Sequence, residues 1–175
     1  MKVLSICAAL LAAASVLPAQ SPAATETKTY AGKTITIKYS APHVRGRVGK
    51  LFGKDGQIGT DGTYPVWRAG ANSATVLHTD ADLDISGLAV PKGEYTLYVD
   101  LTDPDNWTLI VNKQTGQWGL TYTKAQDLGR VKMTMSKPPT LVEELRYTLS
   151  DAGGGKGALQ LAWENHVATV NFTVK

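Results

Sequence analysis

The stretch EYTLYVDLTDPDNWTLIVN, residues 94–112, contains two alternating patterns separated by a turn. The apolar side chains at every second position are Tyr95, Leu97 and Val99 in the first pattern, and Trp107, Leu109 and Val111 in the second. Alternation with period two is typical of a strand that buries one face. Residues 103–106, Asp-Pro-Asp-Asn, favour a turn. The stretch therefore predicts two strands of a sheet that covers a core.

The same alternation recurs along the chain, in residues 33–39, 130–136, 145–149, 158–164 and 168–174. Many short strands with turn residues between them are typical of an antiparallel sandwich or barrel. We therefore expect an all-β fold, an antiparallel β-sandwich that is jelly-roll-like or a partly closed barrel, with at most one or two short helices. The six side chains above should share the core with Leu161, Trp163, Val170 and Phe172.

The first residues are typical of a secretory signal peptide. Lys2 precedes an apolar run from Val3 to Leu17, and Pro-Ala-Gln follows. We expect cleavage after Ala19, with cleavage after Ala23 as the alternative, and a periplasmic or secreted mature protein. The predicted organisation is a signal peptide over 1–19, a flexible lead-in over 20–32 and a single β-sandwich domain over 33–175. No later run is long enough to predict a membrane span in the mature chain.

Composition excludes several kinds of site. Cys7 is the only cysteine and lies in the predicted signal peptide, so a mature chain has no thiol for a disulfide, a nucleophile or a metal. Removal of residues 1–19 removes one Lys and no acid, which leaves 17 basic and 15 acidic residues. Because these charges are dispersed, we expect no nucleic-acid partner.

Five segments in this order resemble the bacterial exported family known as domain of unknown function 2911. They are SAPHVRGR (40–47), YPVWRAGANSAT (64–75), DLDISGLAVPKGEYTLYV (82–99), WTLIVNKQTGQWG (107–119) and LQLAWENHVATVNFTV (159–174). The resemblance extends from about Thr34 to the end, and WRAGAN and NKQTGQWG are its most specific parts. The chain departs from the family pattern at Ser40-Ala41-Pro42, where Ser-Pro is usual. The resemblance implies an all-β exported domain and supplies no catalytic residues.

The segment PVWRAGANSATVL, residues 65–77, holds the first candidate site. Trp67 offers an apolar platform, Arg68 a fork that suits a carboxylate or phosphate, and Asn72 an amide. Gly70 allows a close backbone approach. These are the ingredients of a small polar pocket. The alternative is structural: Trp67 belongs to the core, Arg68 pairs with an acid, and Asn72 caps the turn.

Two further segments supply candidate ligand-binding residues. Asn112, Gln117 and Trp118 surround a glycine turn, where amides beside an aromatic ring suit a sugar, although they are also ordinary hairpin residues. Arg45 and Arg47 lie on one face if the chain is extended. They suit an anion, and the interpretation we favour is an edge strand guarded by charge.

Metal, cofactor and catalytic motifs are scarce. Counting from Asp80, the acidic run 80–84 lacks the Gly and the carboxylate that a calcium loop needs at positions six and twelve. Calcium binding there, or at Asp100, Asp103 and Asp105, stays open. We assign no metal ligand, no cofactor and no catalytic residue, since the sequence has no nucleophile elbow, HExxH or phosphate loop. Glu164, near His166, is interpreted as a surface residue at a strand end.

We therefore favour a non-catalytic exported protein that binds a small polar ligand, either a saccharide or an anionic metabolite. The alternative is a cell-envelope module that binds another protein or the cell wall through a sheet edge. A third possibility is a hydrolase of unrecognised type. The sequence leaves the ligand's identity, the strand order and the oligomeric state open.

Overall fold

The computed structural model describes residues 20–175, and the predicted signal peptide, residues 1–19, lies outside the described residues. The strands in chain order are β1 (Ala23–Tyr30), β2 (Lys33–Ser40), β3 (Val66–Trp67), β4 (Thr75–Thr79), β5 (Leu83–Ile85), β6 (Leu88–Val90), β7 (Gly93–Asp100), β8 (Thr108–Asn112), β9 (Asp127–Lys132), β10 (Thr134–Ser136), β11 (Val142–Gly153), β12 (Lys156–Glu164) and β13 (His166–Val174).

These strands form two antiparallel sheets. The first has the order β1-β2-β4-β7-β8-β9, with β3 paired to β7, and the second has the order β11-β12-β13-β5-β6, with β10 paired to β13. The sheets approach each other at both margins, where β1 contacts β11 and β6 contacts β9. The all-β sandwich expected from the alternation is confirmed.

The core lies between the sheets and is built from the side chains that alternation places inward. All ten predicted core residues are buried in one cluster. Between-sheet hydrogen bonds support it at the β1–β11 margin, where Tyr30 Oη donates to Ser150 O at 2.8 Å and Glu26 Oε1 accepts from Leu149 N at 2.9 Å. Because all ten residues are buried, the predicted register of the inward faces is correct.

The predicted flexible lead-in over 20–32 is wrong. Residues 23–30 form β1, which pairs with β2 from Ala23↔Ser40 to Tyr30↔Lys33. Tyr30 is the only large apolar side chain in this strand, and the other positions are polar or small. No hydrophobic alternation marks the strand, because an edge position demands little burial.

The predicted strand over 130–136 is two strands in different sheets. β9 ends at Lys132 in the first sheet and β10 begins at Thr134 in the second. Val131 and Met133 are buried in the core, and Met135 packs against it. Alternation is continuous through this corner because both sheets face the same core, so the sequence pattern does not reveal the crossing.

Within residues 20–175 the helical content consists of two short 3-10 helices, Ile58–Thr60 and Lys124–Gln126, which agrees with the expected one or two short helices. The connection 113–126 is longer than a hairpin loop and covers Tyr98 and Ile110 on the outer face of the first sheet, where Tyr98 Oη donates to Thr121 O at 2.7 Å. Within the described part of the chain, neither helix has the length or apolarity needed to cross a membrane.

Candidate functional site

A cavity of about 280 Å³ opens at one end of the sandwich, and we call it the arginine cavity. Its polar and charged lining residues are Ser21, His43, Arg45, Arg47, Gln57, Asp61, Arg68 and Asn72. Its apolar lining comes from Pro42, Leu51, Ile58, Trp67, Gly70, Ala71 and Trp163. Five of the eight predicted ligand-binding residues therefore meet around one space: Trp67, Arg68, Asn72, Arg45 and Arg47.

Two tryptophans form the inner wall of the arginine cavity. The rings of Trp67 and Trp163 are stacked with centroids 5.9 Å apart and an angle of 15° between their planes. Phe52 meets both rings edge-on, at 5.5 Å and 5.7 Å. This aromatic packing fixes the apolar wall, because each ring is held by neighbours in the core.

Arg68 is held loosely by several partners. Its Nη2 lies 3.5 Å from Asp61 Oδ2, and its Nη1 donates to Asn72 O at 3.4 Å. Its guanidinium carbon lies 5.9 Å from the centre of the Trp118 ring, within the range of a cation–π contact. Arg68 is therefore largely buried, and the acid that the structural alternative expected as its partner is Asp61.

The backbone around Arg68 turns sharply. Ala69 and Asn72 have positive φ, 50° and 57°, and asparagine tolerates this region better than most residues. The Ala69 carbonyl accepts from the Tyr147 hydroxyl at 2.9 Å, which anchors the turn to β11. A Cβ at Gly70 would lie 2.9 Å from Thr75 Oγ1, so only glycine fits. The turn aims Arg68 and Asn72 at the same space.

The edge-strand interpretation of Arg45 and Arg47 is wrong. Residues 41–57 form a loop of turns, in which Arg45 has φ 48°. Arg47 donates from Nε to Val44 O at 2.8 Å and also hydrogen-bonds His43 O and Gln57 Oε1. Among the described residues, no carboxylate lies within ion-pair distance of Arg45 or Arg47. Both charges therefore remain uncompensated beside the cavity.

Three buried nitrogen atoms of the cavity residues have no hydrogen-bond partner within residues 20–175. They are Nε of Arg68, Nε1 of Trp163 and Nδ1 of His43. Buried polar atoms are almost always paired, so an unpaired group calls for an explanation such as a missing ligand or water. The first two are N–H donors, which suits a ligand with acceptor atoms.

The other three predicted ligand-binding residues do not line the arginine cavity. Asn112 is fully buried and donates to Thr123 O and Asp127 Oδ1. Gln117 donates to Thr96 and Tyr98, at 3.0 Å each. Trp118 is about half exposed, outside the cavity beside Arg68. Asn112 and Gln117 thus serve the fold of the connection that follows β8.

Three residues of this site were not predicted as site residues from the sequence. Asp61 and Trp163 line the cavity from distant parts of the chain, and no local pattern connects them with Arg68. A Cβ at Gly119 would lie 2.4 Å from Arg68 Cδ, so this glycine leaves room for the arginine. The segment NKQTGQWG signalled Gly119 only indirectly, through its place in the family resemblance.

The acidic runs are used for local structure. Asp82 accepts from Lys92 N, Asp84 from Gly87 N, and Asp103 from Asp105 N, all at 2.7–3.0 Å. Among residues 20–175, no three His, Cys, Asp or Glu side chains come together to hold a metal ion. Glu164 is 3% exposed, so its interpretation as a surface residue is wrong.

The comparisons with known proteins give a family and no activity. Searches of curated proteins and of solved structures found no match to this chain. Residues 21–172 match the family described as Protein of unknown function (DUF2911), a range that includes β1, four of the five segments compared above and all but the last two residues of the fifth. The match covers most of the 175 residues. The chain therefore belongs to this family.

Proposed function

We propose that this protein is exported and binds a small anionic ligand, such as a sugar acid or another organic carboxylate, in the arginine cavity without catalysing a reaction. The observation that carries the proposal is the charge of the lining: three arginines face one carboxylate, Asp61. Arginine suits a carboxylate because its planar fork makes two parallel hydrogen bonds. An anion would balance the excess charge.

The unpaired donors support the same chemistry. Arg68 Nε and Trp163 Nε1 lack partners among the described residues, and both residues line the cavity. A ligand oxygen would satisfy them, and a buried hydrogen bond to a charged group contributes about 1.5–3 kcal/mol. The donors therefore favour an acidic ligand over a neutral saccharide.

The size and walls of the cavity define the ligand further. Its volume of about 280 Å³ lies just below the range for small-molecule pockets, about 300–1,000 Å³. Trp67 and Trp163 add an apolar wall to the arginine side. We infer a ligand with one acidic group on a compact body, about the size of a single sugar ring.

The other two functions have less support. Paired-carboxylate hydrolysis needs two acids across the substrate, and the arginine cavity has Asp61 alone among its lining residues. Docking through an apolar surface would need a contiguous patch. Among the described residues, the exposed large hydrophobic side chains are Val48, Trp118 and Leu141, which lie in three separate segments.

The binding proposal is tested with residues 20–175 and four probes: D-glucuronate, benzoate, inorganic phosphate and neutral D-glucose. A ligand that binds only the folded state raises the melting temperature. We expect glucuronate or benzoate to raise it and glucose to leave it unchanged. Arg45→Ala should reduce the rise, whereas Arg146→Ala, which removes an exposed arginine from outside the cavity, should preserve it. Equal effects of both variants would refute binding in this cavity.

Export is tested by N-terminal sequencing of the mature protein, which should begin at Gln20. The hydrogen bonds of the first residues support this cleavage site over the one after Ala23. Asn72 Nδ2 donates to Ser21 O at 3.3 Å, and Ala41 N donates to Pro22 O at 2.8 Å. A chain that begins at Ala24 would lose both. Full-length protein retained in the cytoplasm would refute export.

A further inference from the structure

Glu164 occupies a backbone conformation that its residue type disfavours. Trp163 pairs with His166, so Glu164 and Asn165 form the two-residue turn between β12 and β13. Glu164 has φ 55°, a region that such turns usually fill with Gly, Asn or Asp. Its side chain is also buried, although glutamate is rarely buried. Residues that break local preferences in this way are concentrated at functional sites.

Both carboxylate oxygens of Glu164 have a neighbour. Oε1 accepts from Gly49 N at 2.5 Å, and Oε2 lies 3.3 Å from Nδ1 of His166. The His166 ring is itself stacked on Trp107, with centroids 5.2 Å apart and 17° between the planes. On one side, the Glu164 carboxylate contacts the His166 ring, which is packed against the core. On the other side, it accepts a hydrogen bond from the backbone amide of Gly49.

That loop amide belongs to a segment whose other residues line the arginine cavity, although Gly49 itself does not. Arg45, Arg47, Leu51 and Gln57 line the cavity from residues 43–57, which we call the arginine loop. The start of this loop is tied to β11, where Arg45 N donates to Glu143 Oε1 at 2.8 Å. Among the described residues, the bond from Gly49 to Glu164 is the one hydrogen bond that joins residues 46–57 to a distant part of the chain.

We propose that Glu164 is a positioning residue, whose carboxylate holds the arginine loop against the β12–β13 turn so that the loop's arginines face the ligand. The inference rests on the proposed function for its ligand. Trp163, which precedes Glu164, also lines the arginine cavity. The β12–β13 turn therefore positions both the Trp163 N–H donor and the arginine loop. Loss of the carboxylate releases the loop at Gly49, next to Arg45 and Arg47, while Phe52 keeps its packing on Trp67 and Trp163.

The test uses two variants of Glu164 and one matched control. Glu164→Gly removes the side chain and relaxes the positive φ, so the turn keeps its geometry. Glu164→Gln keeps an oxygen that can accept from Gly49 N. The control is Ala31→Gly, since Ala31 is exposed, has φ 49° and opens the two-residue turn between β1 and β2. It relaxes the same kind of backbone strain far from residue 164 in sequence.

The measurements are glucuronate affinity by calorimetric titration and amide hydrogen exchange of Gly49. We expect Glu164→Gly to weaken glucuronate binding about tenfold, as expected for the loss of one hydrogen bond to a charged group. Exchange at Gly49 should accelerate while the amides of β12 stay protected, which separates loop release from general destabilisation. Glu164→Gln should restore most of the affinity, and Ala31→Gly should match the original chain.

Unchanged affinity and unchanged Gly49 exchange in Glu164→Gly would overturn the inference. Exchange that accelerates equally in the loop and in β12 would also overturn it, because it would assign Glu164 to overall stability. If the original chain binds no probe, the proposed function fails. Selective release of Gly49 in Glu164→Gly would then still support the role of Glu164 in holding the loop.

Discussion

The Nη2 atom of Arg68 lies 3.5 Å from Oδ2 of Asp61, and these side chains are 16% and 20% exposed. A short charge-assisted hydrogen bond between such groups measures about 2.7–2.9 Å. The observed pair is longer, so Asp61 neutralises Arg68 without saturating its donors. A ligand carboxylate would therefore compete with Asp61 for the same guanidinium.

This competition predicts that substitutions of Asp61 and of Arg68 change glucuronate affinity in opposite directions. Asp61→Asn should tighten glucuronate binding about three- to tenfold, because the amide neither repels the ligand nor competes for Arg68. Arg68→Ala should abolish binding and lower the free energy of unfolding by about 3 kcal/mol, since a part-buried Asp61 loses its partner. Calorimetric titration and denaturant unfolding measure the two effects. Weaker binding by Asp61→Asn would show that Asp61 helps to hold the ligand.

Gly119 is expected to control the position of Arg68. A Cβ there would lie 2.4 Å from Arg68 Cδ and 2.6 Å from Asn72 O, so Gly119→Ala must displace one of them. We expect a loss of about 1–3 kcal/mol in unfolding free energy and at least a tenfold loss of glucuronate affinity. Gly62→Ala is the control, because its Cβ would meet nothing within 4 Å. Equal affinities in the two variants would contradict this role.

Asn112 should matter for stability and leave ligand binding unchanged. Its side chain joins the end of β8 to the following connection, through Thr123 O, Asp127 Oδ1 and Gln114 N. Asn112→Ala leaves these buried groups unpaired, at a cost of about 1–3 kcal/mol in unfolding free energy. Glucuronate affinity should stay within about twofold. Asn171→Ala, an exposed position, should change stability by less than about 0.5 kcal/mol. If Asn112→Ala lowered glucuronate affinity and Asn171→Ala did not, Asn112 would belong to the binding site.

Features that depend on neighbouring residues were predicted from the sequence, whereas features that depend on contacts between distant segments were not. Alternation identified Leu97 and Leu161 as core residues, because a strand that buries one face has apolar side chains at every second position. The composition of residues 67–72 likewise predicted either a small polar pocket or an arginine paired with an acid, and both involve Arg68. The partners Asp61 and Trp163 depend on how distant segments meet, which period and composition do not encode. Glu164 was misjudged for the same reason, since its burial comes from the arginine loop packed against it.

His166 should make the stability of the fold depend on pH. Burial of its ring lowers the pKa of His166 below the ordinary value of 6.5, although the Glu164 carboxylate acts in the opposite direction. Lys137 lowers the pKa further and Asp105 raises it. Between the lowered value and 6.5, the unfolded chain binds a proton that the folded chain does not, so stability rises with pH in this window. We expect the free energy of unfolding to fall as the pH decreases below about 6.5, and to fall less steeply in His166→Gln. Denaturant unfolding at pH 7.5 and pH 5.5 measures both slopes, and parallel slopes would show that His166 keeps an ordinary pKa in the folded protein.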